Sequence, residues 1–299
     1  MTSSFQPSRV LVTGAAGLIG RVVVADLLSR GVRVTALVLD EPDELGADRV
    51  VVGDAGDPEA VRRALDGVDA VVHLAAMSSP NDGTPLEVFT TNTRATFAVM
   101  EEAGQAGIAR LAFASSYSIL GLPWSARALH PAYVPIDEDL PLQITDAYGL
   151  SKRVDEDTAE VMALRHGMTL VGLRFPLVTN AERAGERLAQ TVADPMAGAP
   201  DVWSYLDVRD AAEACWLAIT APLTGFHKVF LAAPETLAPY PTAKLMAAYH
   251  PVTEARRELL GREVPIDTGA ARRLLGFCPR HLIDMDPLPF PEGAGHVRS

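Results

Sequence analysis

Tyr148 and Lys152 stand four residues apart in Tyr148-Gly149-Leu150-Ser151-Lys152. Near a helix start, that spacing puts both side chains on one face. A phenol that passes a proton near neutral pH needs its pKa brought down from about 10. An ammonium beside it stabilises the phenolate. The pair reads as a proton-transfer site, with Tyr148 as acid or base and Lys152 as its electrostatic partner. The same spacing occurs by chance on many helix surfaces, so its surroundings decide its meaning.

Ser115 and Ser116 follow an apolar strand and offer a hydroxyl for the oxygen whose proton Tyr148 would move. A serine pair can equally satisfy loop backbone. Near the N-terminus, Gly14, Gly17 and Gly20 follow the β-branched run Val10–Thr13 and precede a helical pattern of Val22, Val23, Val24, Leu27 and Leu28. A glycine turn there lets backbone N–H groups and a positive helix end approach a pyrophosphate without Cβ atoms in the way. Its G-x-x-G-x-x-G spacing is one residue wider at the first gap than the common dinucleotide fingerprint.

Asp40 lies 20 residues after Gly20. An acid at that distance can hydrogen-bond adenosine ribose hydroxyls and repel a 2′-phosphate. No Arg or Lys lies between Val34 and Asp48. NAD is therefore expected over NADP, with NADP left open. Gly53-Asp54 closes a further strand, where the carboxylate could accept from an adenine amino group or cap a turn. His73-Leu74-Ala75-Ala76 ends the next strand. Its small residues let backbone pass close to a ribose or nicotinamide, and His73 reads as a satisfied core histidine.

These residues need a frame, and the hydrophobic pattern predicts one. Strands are expected over 10–13, 32–39, 49–52, 70–74, 110–114 and 169–173, and helices over 21–30, 58–65, 86–106 and 146–165. The alternation predicts an α/β fold, a doubly wound parallel sheet of Rossmann type with a small, mostly helical C-terminal substrate-binding part. Residues 179–200 are polar and Ala-rich with no strand signal. Strands are expected at 202–208 and 229–232, helices at 211–220, 241–249 and 270–275, and an irregular tail at 284–299. The dinucleotide-binding domain is expected over 1–176, with 202–233 returning to it. Residues 177–201 and 234–299 would form the substrate-binding part and tail.

The chain has 299 residues, 48% of them hydrophobic, enough for a large core. Its net charge is −12, from 26 basic and 38 acidic residues. That argues against nucleic acid or an anionic membrane as partner, since either needs a basic face. No apolar run approaches the ~20 residues that span a bilayer. The polar start Met1–Arg9 carries Pro7 and does not read as a signal peptide. Two cysteines, Cys215 and Cys278, make no paired framework, so a reducing, cytoplasmic home is expected. No metal site is expected.

Taken together, Thr13–Gly20, Gly53-Asp54, His73–Ala76, Asn92, Ser115–Gly121, Tyr148–Lys152 and Arg174 resemble the extended short-chain dehydrogenase/reductase family, the group of nucleotide-sugar epimerases and dehydratases. The resemblance is dense over 9–176. It returns at Trp203–Ala212 and, more weakly, at Ala271–Pro279.

The resemblance implies roles. Gly14, Gly17 and Gly20 would bind the pyrophosphate, with Ala16, Leu18 and Ile19 between them. Asp54 and Ala55 would meet the adenine. Leu74, Ala75, Ala76, Pro176 and Val178 would also contact the cofactor. Asn92 carries the family's structural asparagine and is placed with the cofactor residues. Ser116, five residues before Gly121, takes the catalytic Ser/Thr position beside Tyr148 and Lys152. Ser78, Ser116, Ser118, Arg174 and Asn180 would meet the substrate. Family members pair their two long helices into a four-helix bundle, which implies a homodimer; Phe89, Phe97, Val99 and Met100 give the first of these helices extra apolar surface.

Four departures narrow the reading. Leu120 replaces the tyrosine before Gly121. The family's ribose-binding acid falls on Val38, two residues before Asp40. Ser115-Ser116-Tyr117-Ser118 lacks the Asp-Glu pair of the family's 4,6-dehydratases. Only 32 residues separate Arg174 from Asp207, with Arg183 and Arg187 as cations, thin material for gripping a diphosphate. This short form resembles the uronate dehydrogenase branch, in which an arginine holds the substrate carboxylate, a role that would fall on Arg174. The expectation is an NAD(P)-dependent oxidoreductase acting on a small sugar or sugar acid. The alternatives are a nucleotide-sugar 4-epimerase with tightly held NAD and a non-catalytic dinucleotide sensor, which the intact Ser116, Tyr148 and Lys152 disfavour.

Overall fold

The computed structural model describes residues 5–291. The first half alternates strand and helix: β1 (Arg9–Thr13), α1 (Leu18–Ser29), β2 (Arg33–Val38), β3 (Arg49–Val52), α2 (Pro58–Leu65), β4 (Ala70–His73), α3 (Pro85–Gln105) and β5 (Arg110–Ser116). Then come β6 (Tyr133–Val134), α4 (Ala147–His166), β7 (Thr169–Phe175), β8 (Leu177–Thr179) and α5 (Ala181–Ala193). The rest is β9 (Tyr205–Asp207), α6 (Val208–Thr220), β10 (Phe226–Phe230), α7 (Thr242–Tyr249), β11 (Glu254–Ala255) and α8 (Gly269–Leu275).

Seven strands form one parallel sheet in the order β10-β7-β5-β4-β1-β2-β3. The central strands β1, β4 and β7 are almost wholly buried because both faces are covered. Val23, Leu27, Ala211, Cys215 and Leu275 of α1, α6 and α8 pack into one core, while Val61, Val99, Met100 and Met162 of α2, α3 and α4 pack into another. The strand order reverses between β1 and β4, and that reversal opens a crevice at the carboxyl ends of the strands. Gly14, Ser116 and Phe175 all stand at that end.

The long helices have local reasons for their limits. Thr84 and Glu87 form a reciprocal cap at the start of α3, with Pro85 next. Asp146 Oδ1 accepts from Gly149 N at 2.7 Å and starts α4, which places Tyr148 in its first turn.

Besides the unexpected short strands β8 and β11, and β10 at Phe226–Phe230 where 229–232 is expected, the second half departs from the sequence expectation in two places. The strand expected over 202–208 is only Tyr205–Asp207, paired with β8. Helix α6 begins at Val208 because Asp207 Oδ1 caps it, accepting from Arg209 N at 2.8 Å. Residues 181–193, left without an element, form α5, started by Asn180 Oδ1 accepting from Arg183 N at 3.0 Å. Only Ala184 and Thr191 of this helix are buried, so its apolar stripe is too thin to read. A separate core joins Tyr117, Ile119 and Leu120 to Trp203, Leu245 and Ile266, under the carboxyl ends of β5 and β7. Residues 284–291 carry no element, and 292–299 of the expected tail lie outside the described residues.

Candidate active site

The glycine turn links β1 to α1 and faces the crevice. Gly14 has φ +64°, and a Cβ there would stand 2.8 Å from Ala75 N. Thr13 Oγ1 holds that neighbour in place, accepting from Leu74 N and Ala75 N at 3.2 Å each. A Cβ on Gly20 would overlap the Gly14 carbonyl. Gly17 is the N-cap of α1 and supplies no side-chain cap. The first N–H groups of α1 are therefore left for a ligand. Backbone brought this close, with a bare helix start, fits a dinucleotide pyrophosphate.

A cavity of about 880 Å³ runs from this turn past Tyr148 to α5. Gly14, Gly17, Leu18, Ile19, Gly20, Leu74 and Ala76 line one end, with Pro176 and Val178 opposite. Ser116, Ser118, Tyr148, Lys152 and Ser78 line its middle. Lys152 is 3% exposed, its Nζ 5.8 Å from the centre of the Tyr148 ring. That ammonium donates to Ala114 O at 2.9 Å and to Asp155 Oδ2 at 3.2 Å. Burial works against the charge, but the Asp155 carboxylate, Tyr148 and Glu156 outweigh it and hold the amine above its ordinary pKa. Lys152 therefore stands as a permanent cation beside the phenol.

The serine pair divides its duties. Ser115 Oγ donates to Glu156 Oε1 at 2.7 Å and is committed there. Ser116 Oγ accepts from Ser118 N at 3.0 Å, which fixes its rotamer and leaves its own hydrogen to give. Ser116 is thus the hydroxyl available to a substrate oxygen. His73 lies behind the site, with Nδ1 2.7 Å from Thr13 Oγ1 and Nε2 3.3 Å from Thr96 Oγ1. Burial and the nearby Lys152 push its pKa down to about 3, so the ring is neutral and structural.

Eight expected contacts do not line the cavity. Arg174 is 1% exposed and does not line the cavity. Its Nε and Nη2 donate to Glu156 Oε1 and Oε2 at 2.8 Å each, and its guanidinium lies over the Phe230 ring. A substrate carboxylate would have to displace Glu156, so the anchor role is withdrawn. Asn92 is 1% exposed and spends its amide on Met77 N, Met77 O and Ser151 Oγ. It ties the loop after β4 to α4 and does not line the cavity. Asn180 is the cap of α5 and lies off the cavity wall. Asp54 Oδ1 accepts from Gly56 N at 2.8 Å, a turn role, and Asp40 is exposed two residues past β2. Ala16 and Ala75 adjoin lining residues of the cavity's glycine end without lining it, and Ala55 lies off its wall beside Asp54.

The substrate end holds Trp124, which the sequence did not single out, and the two arginines noted between Arg174 and Asp207. Trp124 closes one side, its Nε1 donating to Ser118 Oγ at 3.1 Å. Arg187 of α5 donates to Ala197 O at 2.7 Å and to Asp201 Oδ2 at 3.1 Å. Among the described residues, Arg183 is the one cavity arginine with no side-chain partner. Glu156, four residues beyond Lys152 on the same helix, was reachable from that spacing. The others come from tertiary placement.

The description "NAD dependent epimerase/dehydratase family" matches residues 10–233. A 3-diazoavenalumate denitrifying reductase from Streptomyces sp is 33% identical over 286 residues, 91% of this chain and 89% of that protein. An L-arabinose 1-dehydrogenase (NAD(P)(+)) from Haloferax volcanii is 34% identical over 186 residues, 60% of this chain and 71% of that protein. The crystal structure of a short-chain dehydrogenase/reductase superfamily protein from Agrobacterium tumefaciens, with bound NAD, matches with a TM-score of 0.68 and 26% identity, over 92% of this chain and 93% of that one.

Proposed function

The chain belongs to the NAD dependent epimerase/dehydratase family, and from that premise we propose that it moves a hydride between a nicotinamide dinucleotide and a hydroxyl or carbonyl carbon of a small substrate such as a sugar. One observation carries the reading: Ser116, Tyr148 and Lys152 line the same cavity as the bare glycine turn. Bound there, the nicotinamide supplies the hydride donor or acceptor. In oxidation, Tyr148 Oη takes the substrate hydroxyl proton. Ser116 Oγ donates a hydrogen bond to the same oxygen, and Lys152 Nζ holds the phenolate charge. In reduction, Tyr148 returns the proton to that oxygen.

The substrate end supports a molecule without a nucleotide handle. A diphosphate calls for several free cations. Arg187 is engaged by Asp201, which leaves Arg183 alone on that wall. NAD is the favoured cofactor because Asp40 and Glu41 follow β2 and no cation lies between Val34 and Asp48. A homodimer through α3 and α4 fits the exposed Leu86 and Phe97 of α3 and Val161 and Leu164 of α4. Val99 and Met100, expected to add to that surface, are instead buried against the sheet. A cytoplasmic setting fits the unpaired cysteines, with the Cys215 thiol pushed up to about 12 by burial. Among the described residues no helix is long and apolar enough to cross a membrane.

The test is a cofactor-reduction screen over small sugars, sugar acids and hydroxy compounds, run beside UDP-hexoses. Net NADH formation with a simple substrate supports the oxidoreductase. Interconversion of a UDP-hexose with no net change in cofactor absorbance would replace it with the epimerase.

A further inference from the structure

Helix α4 turns two carboxylates inward, and the site accounts for only one. Glu156 is consumed by Arg174 and Ser115. Asp155 is 1% exposed, its Oδ2 is 3.2 Å from Lys152 Nζ, and its Oδ1 has no hydrogen-bond partner among the described residues. Burying a carboxylate costs more than filling the same space with an apolar side chain, unless the charge is used. The groups that face it are few. Lys152 and Glu156 share its helix, and Thr96 comes from α3.

Lys152 shows what the charge is used for. An ammonium has three protons to donate. Ala114 O and Asp155 Oδ2 take two of them, which leaves one for the cavity that Lys152 lines. With Asp155 absent, only one carbonyl would hold a nearly sealed ammonium, and burial would favour the neutral amine.

We propose that Asp155 is a positioning residue of this site: its carboxylate pins the Lys152 ammonium and keeps it charged beside Tyr148. The proposal rests on the Tyr148–Lys152 reading above. Its direction follows from distance. Asp155 lies seven residues along the helix from Tyr148, about 10 Å of rise, so its own repulsion of a phenolate is weak. Loss of the adjacent ammonium charge is the larger change.

The experiment needs no substrate. Phenolate absorbance of the full chain against pH, minus that of Tyr148→Phe, isolates the titration of Tyr148. The same difference is taken in Asp155→Asn, and NAD⁺ affinity is titrated in each protein. Asp155→Asn is expected to raise the Tyr148 midpoint by about one pH unit or more and weaken NAD⁺ about tenfold, with Asp155→Glu restoring the midpoint. A residue that only fills space would leave the midpoint where it was. An unchanged or lowered midpoint overturns the proposal. If Asp155→Asn does not fold, Asp155→Glu decides: a longer carboxylate shifts the ammonium and weakens NAD⁺ while keeping the midpoint, and parent-like affinity overturns the proposal. A parent chain that binds no NAD⁺ would instead sink the oxidoreductase reading.

Discussion

Arg174 and Glu156 meet edge to edge inside the molecule, with two N–H···O bonds of 2.8 Å and side chains 1% and 3% exposed. The pair joins β7 to α4 just behind Tyr148 and Lys152. Glu156 also takes the Ser115 hydroxyl, and the Arg174 face covers Phe230. One ion pair therefore fixes the strand, the helix and the choice between two serines. It also keeps the Arg174 guanidinium off the cavity wall.

Breaking that pair on one side should unfold the protein far more readily than removing it on both. Arg174→Met leaves a buried carboxylate without its partner, a loss of about 3–5 kcal/mol. Arg174→Met combined with Glu156→Gln should recover part of it. Urea unfolding of the two variants measures this. A single variant as stable as the double would mean the pair is not buried as described.

Tyr148→Phe should lower turnover about 10²–10⁴-fold while NAD affinity holds within a few-fold. Only the phenolic oxygen passes the proton in this mechanism. Steady-state rates beside a dinucleotide titration separate the two effects. Activity within tenfold of the parent would remove Tyr148 from the proton step.

Acid should destabilise the fold through its neutral histidines. His73 is held at about 3 by burial and Lys152, and His250 at about 4 by burial. Unfolded, each would titrate near 6.5. The unfolded chain then binds more protons, so these groups stabilise fully above about pH 6.5 and lose that contribution as pH falls toward their folded values. Each contributes a slope of about 1.4 kcal/mol per pH unit within its window. His73→Gln should flatten the dependence of stability on pH by one proton between about pH 6 and 4. An unchanged slope would contradict a neutral His73.

The sheet and the two ends of the site were legible because their requirements are local. Gly14 and Gly20 answer to backbone a few ångströms away, and Tyr148 with Lys152 to one helix face. Arg174 misled because nothing near it in sequence reveals its partner: Glu156 lies 18 residues earlier and meets it only once β7 packs on α4. Helix α5 stayed hidden because only Ala184 and Thr191 are buried, with Leu188 partly so. Asp155 was silent for a related reason. Next to Glu156 and Asp157 it reads as one charge in a solvated run, and only packing against α3 turns it inward.

Cofactor choice is the point where sequence position and structure can be set against each other. Strand β2 ends at Val38, which is 4% exposed, and Asp40 follows two residues later on the surface. Arg21, which reaches this loop, donates from Nε to Ala16 O and from Nη1 to Glu44 O at 3.0 Å each. A 2′-phosphate would lie near the carboxylates of Asp40 and Glu41, so kcat/KM should favour NAD over NADP. Asp40→Asn, with Glu41→Gln added, should narrow that gap by improving NADP rather than by harming NAD. Val38→Asp should widen it if the ribose instead reaches back to the end of β2. A parent enzyme that prefers NADP would overturn the role of Asp40 and require Arg21 to leave Glu44 for the phosphate.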